Sequence, residues 1–347
     1  MHLPKVSFKT TIKEMKMNRF FILGIVGISL LMSCGKPNDP ENLDVSGGYK
    51  VVTRFPGFGY ASDLVKKDNL LYIAQGEGGL LIIDVADIHN PEVISITTED
   101  VRGYSSRIAM KDSVVYLAAG TFGVNVVDVS DPALPEVTVT NLGVKPAQSF
   151  DIFGNYLLTA VSELGVNITD ISYPTQPDIR STFATSGYAN GLVAHDTTQL
   201  LAACGEMGLC IYKISNFMQG YGIYPRIGWC DTPGYAESVV INEDESIAYM
   251  ACGTSGLYII DYADTNNVFI TGHYDGAGYA KNLALVGNRV YLSAQLGGLQ
   301  VIDVSNITNP QLIGVVETEY AMGFVVDDEY VYLADEDEGI IIISIPN

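Results

Sequence analysis

Positive charge, histidine and tryptophan are all scarce in this chain. Of 347 residues only 19 are Lys or Arg, against 40 Asp or Glu, for a formal net charge of −21. A phosphate backbone needs a basic face, so no nucleic-acid partner is expected. Attraction to anionic lipid headgroups is disfavoured for the same reason. The four histidines, His2, His89, His195 and His273, are far apart, and neither a His-Glu-x-x-His nor a paired-Cys motif occurs. No metal and no cofactor is therefore expected. The loop Gly76-Glu77-Gly78-Gly79 joins two apolar runs instead of opening a helix, which removes the phosphate-loop reading. Asp335-Glu336-Asp337-Glu338 crowds four acids into one turn without the spaced bidentate Glu of a calcium loop, so it reads as a solvated turn. The apolar run Phe20–Met32 is thirteen residues long, too short to span a bilayer.

That run follows Lys5, Lys9, Lys13, Lys16 and Arg19 and ends at Ser33-Cys34. The pattern is that of an export signal over residues 1–33. Leu31-Met32-Ser33-Cys34 resembles a lipobox, which implies cleavage before Cys34 and lipidation of its thiol. Two or more acyl chains would tether the protein stably to a membrane. A soluble secreted product cleaved nearby is the alternative. Gly35 follows the cysteine, and the acids Asp39 and Glu41 come soon after. This resembles surface lipoproteins and implies the outer membrane or cell surface. Residues 34–48 are polar, with Pro and Gly and no period, and read as a flexible tether. Without the leader, 14 basic residues face 39 acidic ones, a balance that suits solubility and permits basic partner surfaces.

What is abundant is repetition. A Gly plus an aliphatic residue recurs at Gly79-Leu80, Gly123-Val124, Gly165-Val166, Gly208-Leu209, Gly256-Leu257, Gly298-Leu299 and Gly339-Ile340, spaced 44, 42, 43, 48, 42 and 41 residues apart. Self-similarity at this period, with several short strands per unit, signals a β-propeller. Runs such as Leu80–Ile83 are short, β-branched and bounded by turns, as strands packed on both faces are. A Tyr-Ala step opens the first strand of most units. A Pro opens the last, where a missing donor costs least on a rim strand. The phrases GLLIIDVADIHNPEVI, GVNVVDVSDPALPEV and GLQVIDVSNITNPQLI resemble LVIVD repeats of bacterial and archaeal surface proteins. The resemblance implies a propeller and says almost nothing of activity. Unit 4 departs from it with Lys213, and unit 7 with Ser344, where the other units carry Asp.

The expected fold is all-β: a seven-bladed β-propeller of four-stranded blades over residues 49–347. Unit 7 lacks an outer strand, and Tyr49–Phe55 is an outer strand without a unit. The N-terminal strand should therefore close the ring. Four buried aliphatic residues in such a strand would contribute roughly 6–12 kcal/mol gross. Cys204, Cys210, Cys230 and Cys252 remain after export. Cys204 and Cys210 could bridge across one hairpin in an oxidising compartment, or all four could be buried thiols.

No catalytic signature is present. The strongest surface series is Tyr60, Tyr104, Tyr188, Tyr235, Tyr279 and Tyr320, with Pro146 in unit 3. These rings either wedge between blades or stack on a ligand, and repetition in six units speaks for the wedge. Departures between units are more telling. Asp63, Arg107, Glu237 and Lys281 bring both charge signs to the channel mouth, beside hairpin tips that differ from unit to unit. The residues point to a binding or scaffolding propeller for a protein or a glycan at the cell envelope. The other reading is a polysaccharide-active hydrolase or lyase with its carboxylates at the mouth.

Overall fold

A computed structural model describes residues 45–214 and 223–346. The expected export signal, Cys34 and most of the expected tether lie outside the described residues, as do residues 215–222. Among the described residues, twenty-eight strands, β1–β28, form seven separate four-stranded antiparallel sheets. Blade 1 contains β2 (Asp63–Lys67), β3 (Leu70–Ala74), β4 (Leu80–Asp84) and β5 (Glu92–Thr97), in that order from axis to rim. The innermost strands of blades 2 to 6 are β6 (Arg107–Lys111), β10 (Ser149–Phe153), β14 (Gly191–Ala194), β18 (Ser238–Asn242) and β22 (Asn282–Val286).

The aliphatic runs form strands because both of their faces are covered. In blade 1, Tyr72, Ala74, Leu80 and Ile82 pack with Ile108, Val115, Leu117 and Val127 of blade 2. The alternate residues Leu71, Ile73, Leu81 and Ile83 pack with Tyr332, Ala334, Ile340 and Ile342 of blade 7. Alternation sends successive side chains to opposite faces, so a sheet between two neighbours needs an unbroken apolar run.

The ring is closed by the N-terminal strand. Blade 7 runs β26 (Ala321–Val326), β27 (Tyr330–Asp335), β28 (Gly339–Ser344) and then β1 (Lys50–Phe55), which pairs antiparallel with β28 from Lys50↔Ser344 to Phe55↔Ile340. Two details mark β1 as a true rim strand. It carries a register shift at Val51/Thr53, matching the shift at Ile82/Ile83 in blade 1 and its counterparts elsewhere. Such bulges twist an edge away from further pairing. Thr53 Oγ1 also donates to the Ile88 carbonyl of blade 1 at 2.6 Å, as Ser95 Oγ does to Pro132 of blade 2 at 2.7 Å.

One expectation needs correction. The side chains of β1 are half-buried at best, not a row of buried aliphatics. The buried anchor is Tyr49, one residue earlier. Its ring meets Tyr291 edge-on at 6.1 Å, the two hydroxyls lie 3.3 Å apart, and Gly314 has no side chain where that ring sits.

The repeated Asp at the end of each third strand has a local task. Asp84, Asp128, Asp170, Asp261 and Asp303 each accept the backbone N–H two residues on, at 2.7–3.0 Å. This Asx turn starts the loop toward the rim strand. All four described cysteines are free and buried. Burial pushes the Cys252 thiol up to about 12.

Tyr49→Ala should destabilise the fold by about 3–5 kcal/mol, as expected for a buried aromatic truncated to Ala. Tyr49→Phe should cost only about 0.5–1.5 kcal/mol, the value of one hydrogen bond. Denaturant unfolding of both variants checks this; an Ala variant with the wild-type midpoint would remove Tyr49 as the anchor of closure.

Candidate functional site

The site is built where each chain segment passes from the rim of one blade to the axis of the next. Six short antiparallel bridges join a hairpin tip to the Tyr-Ala step of the following blade: Gly76↔Ser105, Gly120↔Ala147, Ser162↔Ala189, Gly205↔Ala236, Gly253↔Ala280 and Gln295↔Ala321. Tips and steps therefore share one face around the axis.

The tyrosines lie over these bridges. A Cβ on Gly76 would stand 2.7 Å from the Tyr104 ring, one on Gly205 2.9 Å from Tyr235, and one on Gly253 2.9 Å from Tyr279. All three glycines have positive φ, which fits them to the turn as well. In blade 3 Pro146 replaces the tyrosine, and the space above Gly120 is open. Tyr104, Tyr235 and Tyr279 thus act as wedges, one face spent on backbone. Tyr60 and Tyr188 are about half exposed, at 54% and 53%. Tyr320 is half-buried, and its backbone N–H donates to Asp335 at 2.7 Å.

The charged candidates gather into two clusters on different sides of the mouth. In blades 5 and 6, Glu237 accepts the Tyr279 hydroxyl at 2.5 Å and the Lys281 ammonium at 2.7 Å. Burial, and then the Glu237 carboxylate, raise the Tyr279 phenol. In blades 1 and 2, Arg107 approaches Asp63 to 4.0 Å, while Asp63 also accepts the Ile108 N–H at 3.2 Å. Beside this pair the Tyr104 hydroxyl donates to Glu336 of blade 7 at 2.7 Å. Burial, with Glu336 adding to it, pushes that phenol up to about 12.

The acidic turn of blade 7 is a capped hairpin. Asp335 Oδ1 accepts from Asp337 and Glu338 N–H at 3.0 and 2.9 Å, and Glu338 pairs with Arg54 of β1 at 2.7 Å. Among the described residues no group of three or more His, Cys, Asp or Glu side chains is placed to hold a metal ion.

Two further features stand out, the first not singled out from sequence and the second built on hairpin tips that the sequence marks as variable. Asp151 is the third residue of β10, where the other inner strands carry Val65, Ala109, Val193, Val240, Ala284 and Val325. A single acid in a column of small apolar residues was a visible signal. Its carboxylate accepts the Ala194 N–H of blade 4 at 2.8 Å, and burial raises its pKa. The second is an apolar arc over blades 2 to 4. It consists of the tip residues Phe122 and Leu164, each 51% exposed, with half-buried Met207 and exposed Trp229, whose Nε1 donates to the Met207 carbonyl at 2.6 Å. The same tip position is Ser255 in blade 5, Gly297 in blade 6 and Glu338 in blade 7.

Comparison with known proteins agrees with this geometry. Residues 58–98, 102–140, 146–185, 277–318 and 320–347 match the family described as LVIVD repeat. Those segments correspond to blades 1, 2, 3, 6 and 7, and blades 4 and 5 are built on the same plan. No curated protein matches the chain. Among solved structures, the WD40 β-propeller domain of Doa1 is similar with a TM-score of 0.67 at 10% identity, over 86% of this chain and 98% of that one. The computationally designed Ika8 protein is similar with a TM-score of 0.59 at 10% identity, over 86% of this chain and 100% of that one. At such identity the likeness is one of fold alone.

Asp151→Asn tests the buried carboxylate. A buried Asp with raised pKa binds a proton more readily folded than unfolded, so its contribution to stability falls as pH rises. The neutral amide should match or exceed the wild-type melting temperature at pH 7. The gap should shrink as pH falls through the folded pKa toward the ordinary carboxyl range. A variant that melts lower than wild type at pH 7 and no lower at pH 4 would contradict this.

Proposed function

This chain belongs to the LVIVD repeat family, and on that fold we propose that it is a binding or scaffolding propeller, exported and lipid-anchored through Cys34, that takes a protein partner on the tip-bearing face. The apolar arc Phe122–Leu164–Met207–Trp229 carries this reading. Side chains of that kind grouped on one exposed face mark interaction sites, and aromatic residues and Met are enriched at interface cores. The exposed acids Glu163, Glu206 and Asp231 border the arc, which suits a partner segment with apolar anchors and flanking basic residues. The half-exposed Tyr60 and Tyr188 favour a second reading, a glycan stacked on their rings. A hydrolase is less well supported. Asp63 and Asp151 both have pKa values raised by burial, and each accepts a backbone N–H of the next blade. An acid–base pair needs environments that push two carboxyls apart.

Capture from a cell-envelope extract, with a glycan array in parallel, tests the partner. Phe122→Ser/Leu164→Ser should abolish protein capture while the melting temperature stays near wild type, since both side chains are half exposed. Retained capture would sink the arc as the docking site, and glycan binding lost with Tyr60→Ala and Tyr188→Ala would favour the second reading. For the anchor, Cys34→Ala should release the protein from membranes or leave its precursor uncleaved; normal processing and fractionation would remove the lipidation proposal.

A further inference from the structure

Around the axis, residues of the inner strands of blades 1 to 6 line a half-open cavity of about 260 Å³. That is space for a small molecule and not only for a single water. Its lining is not evenly satisfied. Arg107 has a side chain only 14% exposed, and its one partner among the described residues is Asp63 at 4.0 Å, too far for a hydrogen bond. A guanidinium offers five N–H donors in a planar fork. Asp151 also lines the cavity, and its carboxylate is met by backbone amides and no cation. By contrast, the mouth-level Glu237 is already neutralised by Lys281.

We infer that the axial cavity binds a small zwitterion of amino-acid size, its carboxylate on Arg107 and its ammonium toward Asp151. The guanidinium fork matches a carboxylate in bidentate fashion. A dianion such as phosphate is disfavoured by Asp63, Asp151 and Glu237 around the same space. A simple cation would leave Arg107 unanswered. A zwitterion gives the Arg107 fork the hydrogen-bond acceptors that Asp63 at 4.0 Å does not, gives Asp151 a cation, and leaves the site's net charge unchanged. Two glycines, Gly191 in the lining and Gly323 against Asp63, serve the same end. A Cβ on Gly323 would fall 2.1 Å from Asp63 Oδ1, and one on Gly191 2.8 Å from the Glu237 carbonyl oxygen; without side chains, these strands let the polar groups converge.

The inference deepens the binding-module reading but rests on a different part of the molecule. The test uses the full chain and the twenty free α-amino acids, each with its carboxamide and its des-amino acid, followed by thermal shift and calorimetry. At least one amino acid should bind, and its carboxamide and its des-amino acid should each bind at least about tenfold more weakly. Arg107→Lys keeps the charge but loses the fork and should weaken binding by about tenfold or more. Asp151→Asn should weaken the zwitterion similarly while leaving the des-amino acid no weaker than before. Unliganded melting temperatures of both variants separate lost folding from lost binding. Binding by none of the panel, equal binding of acid and carboxamide, or intact affinity in a folded Arg107→Lys would overturn the inference. Phe122→Ser/Leu164→Ser should leave cavity binding unchanged, so failure at the arc and failure in the cavity are read separately.

Discussion

Closure of the ring by the first strand is the constraint on which the other features depend. The seam between blades 7 and 1 has no tip-to-step bridge of the kind found at the other six junctions. It is held by different means. The Gly323 N–H donates to the Ser62 carbonyl at 2.9 Å, Lys66 pairs with Asp327 at 3.1 Å, and Thr53 reaches Ile88. Beneath these lies the apolar interface of Leu71, Ile73, Ile340 and Ile342. Without β1, the edge of β28 would present unpaired backbone groups to any other strand. The tip-bearing face depends on the same seam, since the Tyr104–Glu336 bond spans from blade 2 to blade 7 and Asp63 packs against Gly323.

A second theme is the division between what repeats and what departs from repetition. The Asx turns, the tip-to-step bridges and the tyrosines over glycine recur because each blade must meet its neighbour in the same way. Their chemistry is used up in those contacts. The arc on blades 2 to 4, the pair Asp63–Arg107 and the lone Asp151 occur once each. Sevenfold architecture carries no address for an asymmetric ligand; in the proposed reading, single-copy residues on the shared face supply it.

Much of the fold was legible because a propeller writes its plan seven times. Blade number, strand order and the closing role of Lys50–Phe55 follow from period, turn residues and matching deficits at the two ends. Burial of β1 was overestimated because a rim strand has cover on neither face equal to that of a central strand. The site was legible only in part. The pairings Asp63–Arg107 and Glu237–Lys281 follow from adjacent repeats, whereas Tyr104–Glu336 joins residues 232 apart and needs the closed ring to be seen. Wedging of Tyr104 on Gly76 against exposure of Tyr60 was likewise hidden. It turns on whether the preceding tip carries Gly, as in blade 1, or Glu336, as in blade 7.

Native-state hydrogen exchange on the full chain addresses closure most directly. If β1 completes blade 7 as a structural equal of the other rim strands, the β28 amides bonded to β1 will exchange only through global unfolding, with the same free energy as central-strand amides of blades 2 to 6. Exchange of those β28 amides by a separate low-energy opening, with the rest of the ring still protected, would contradict the account.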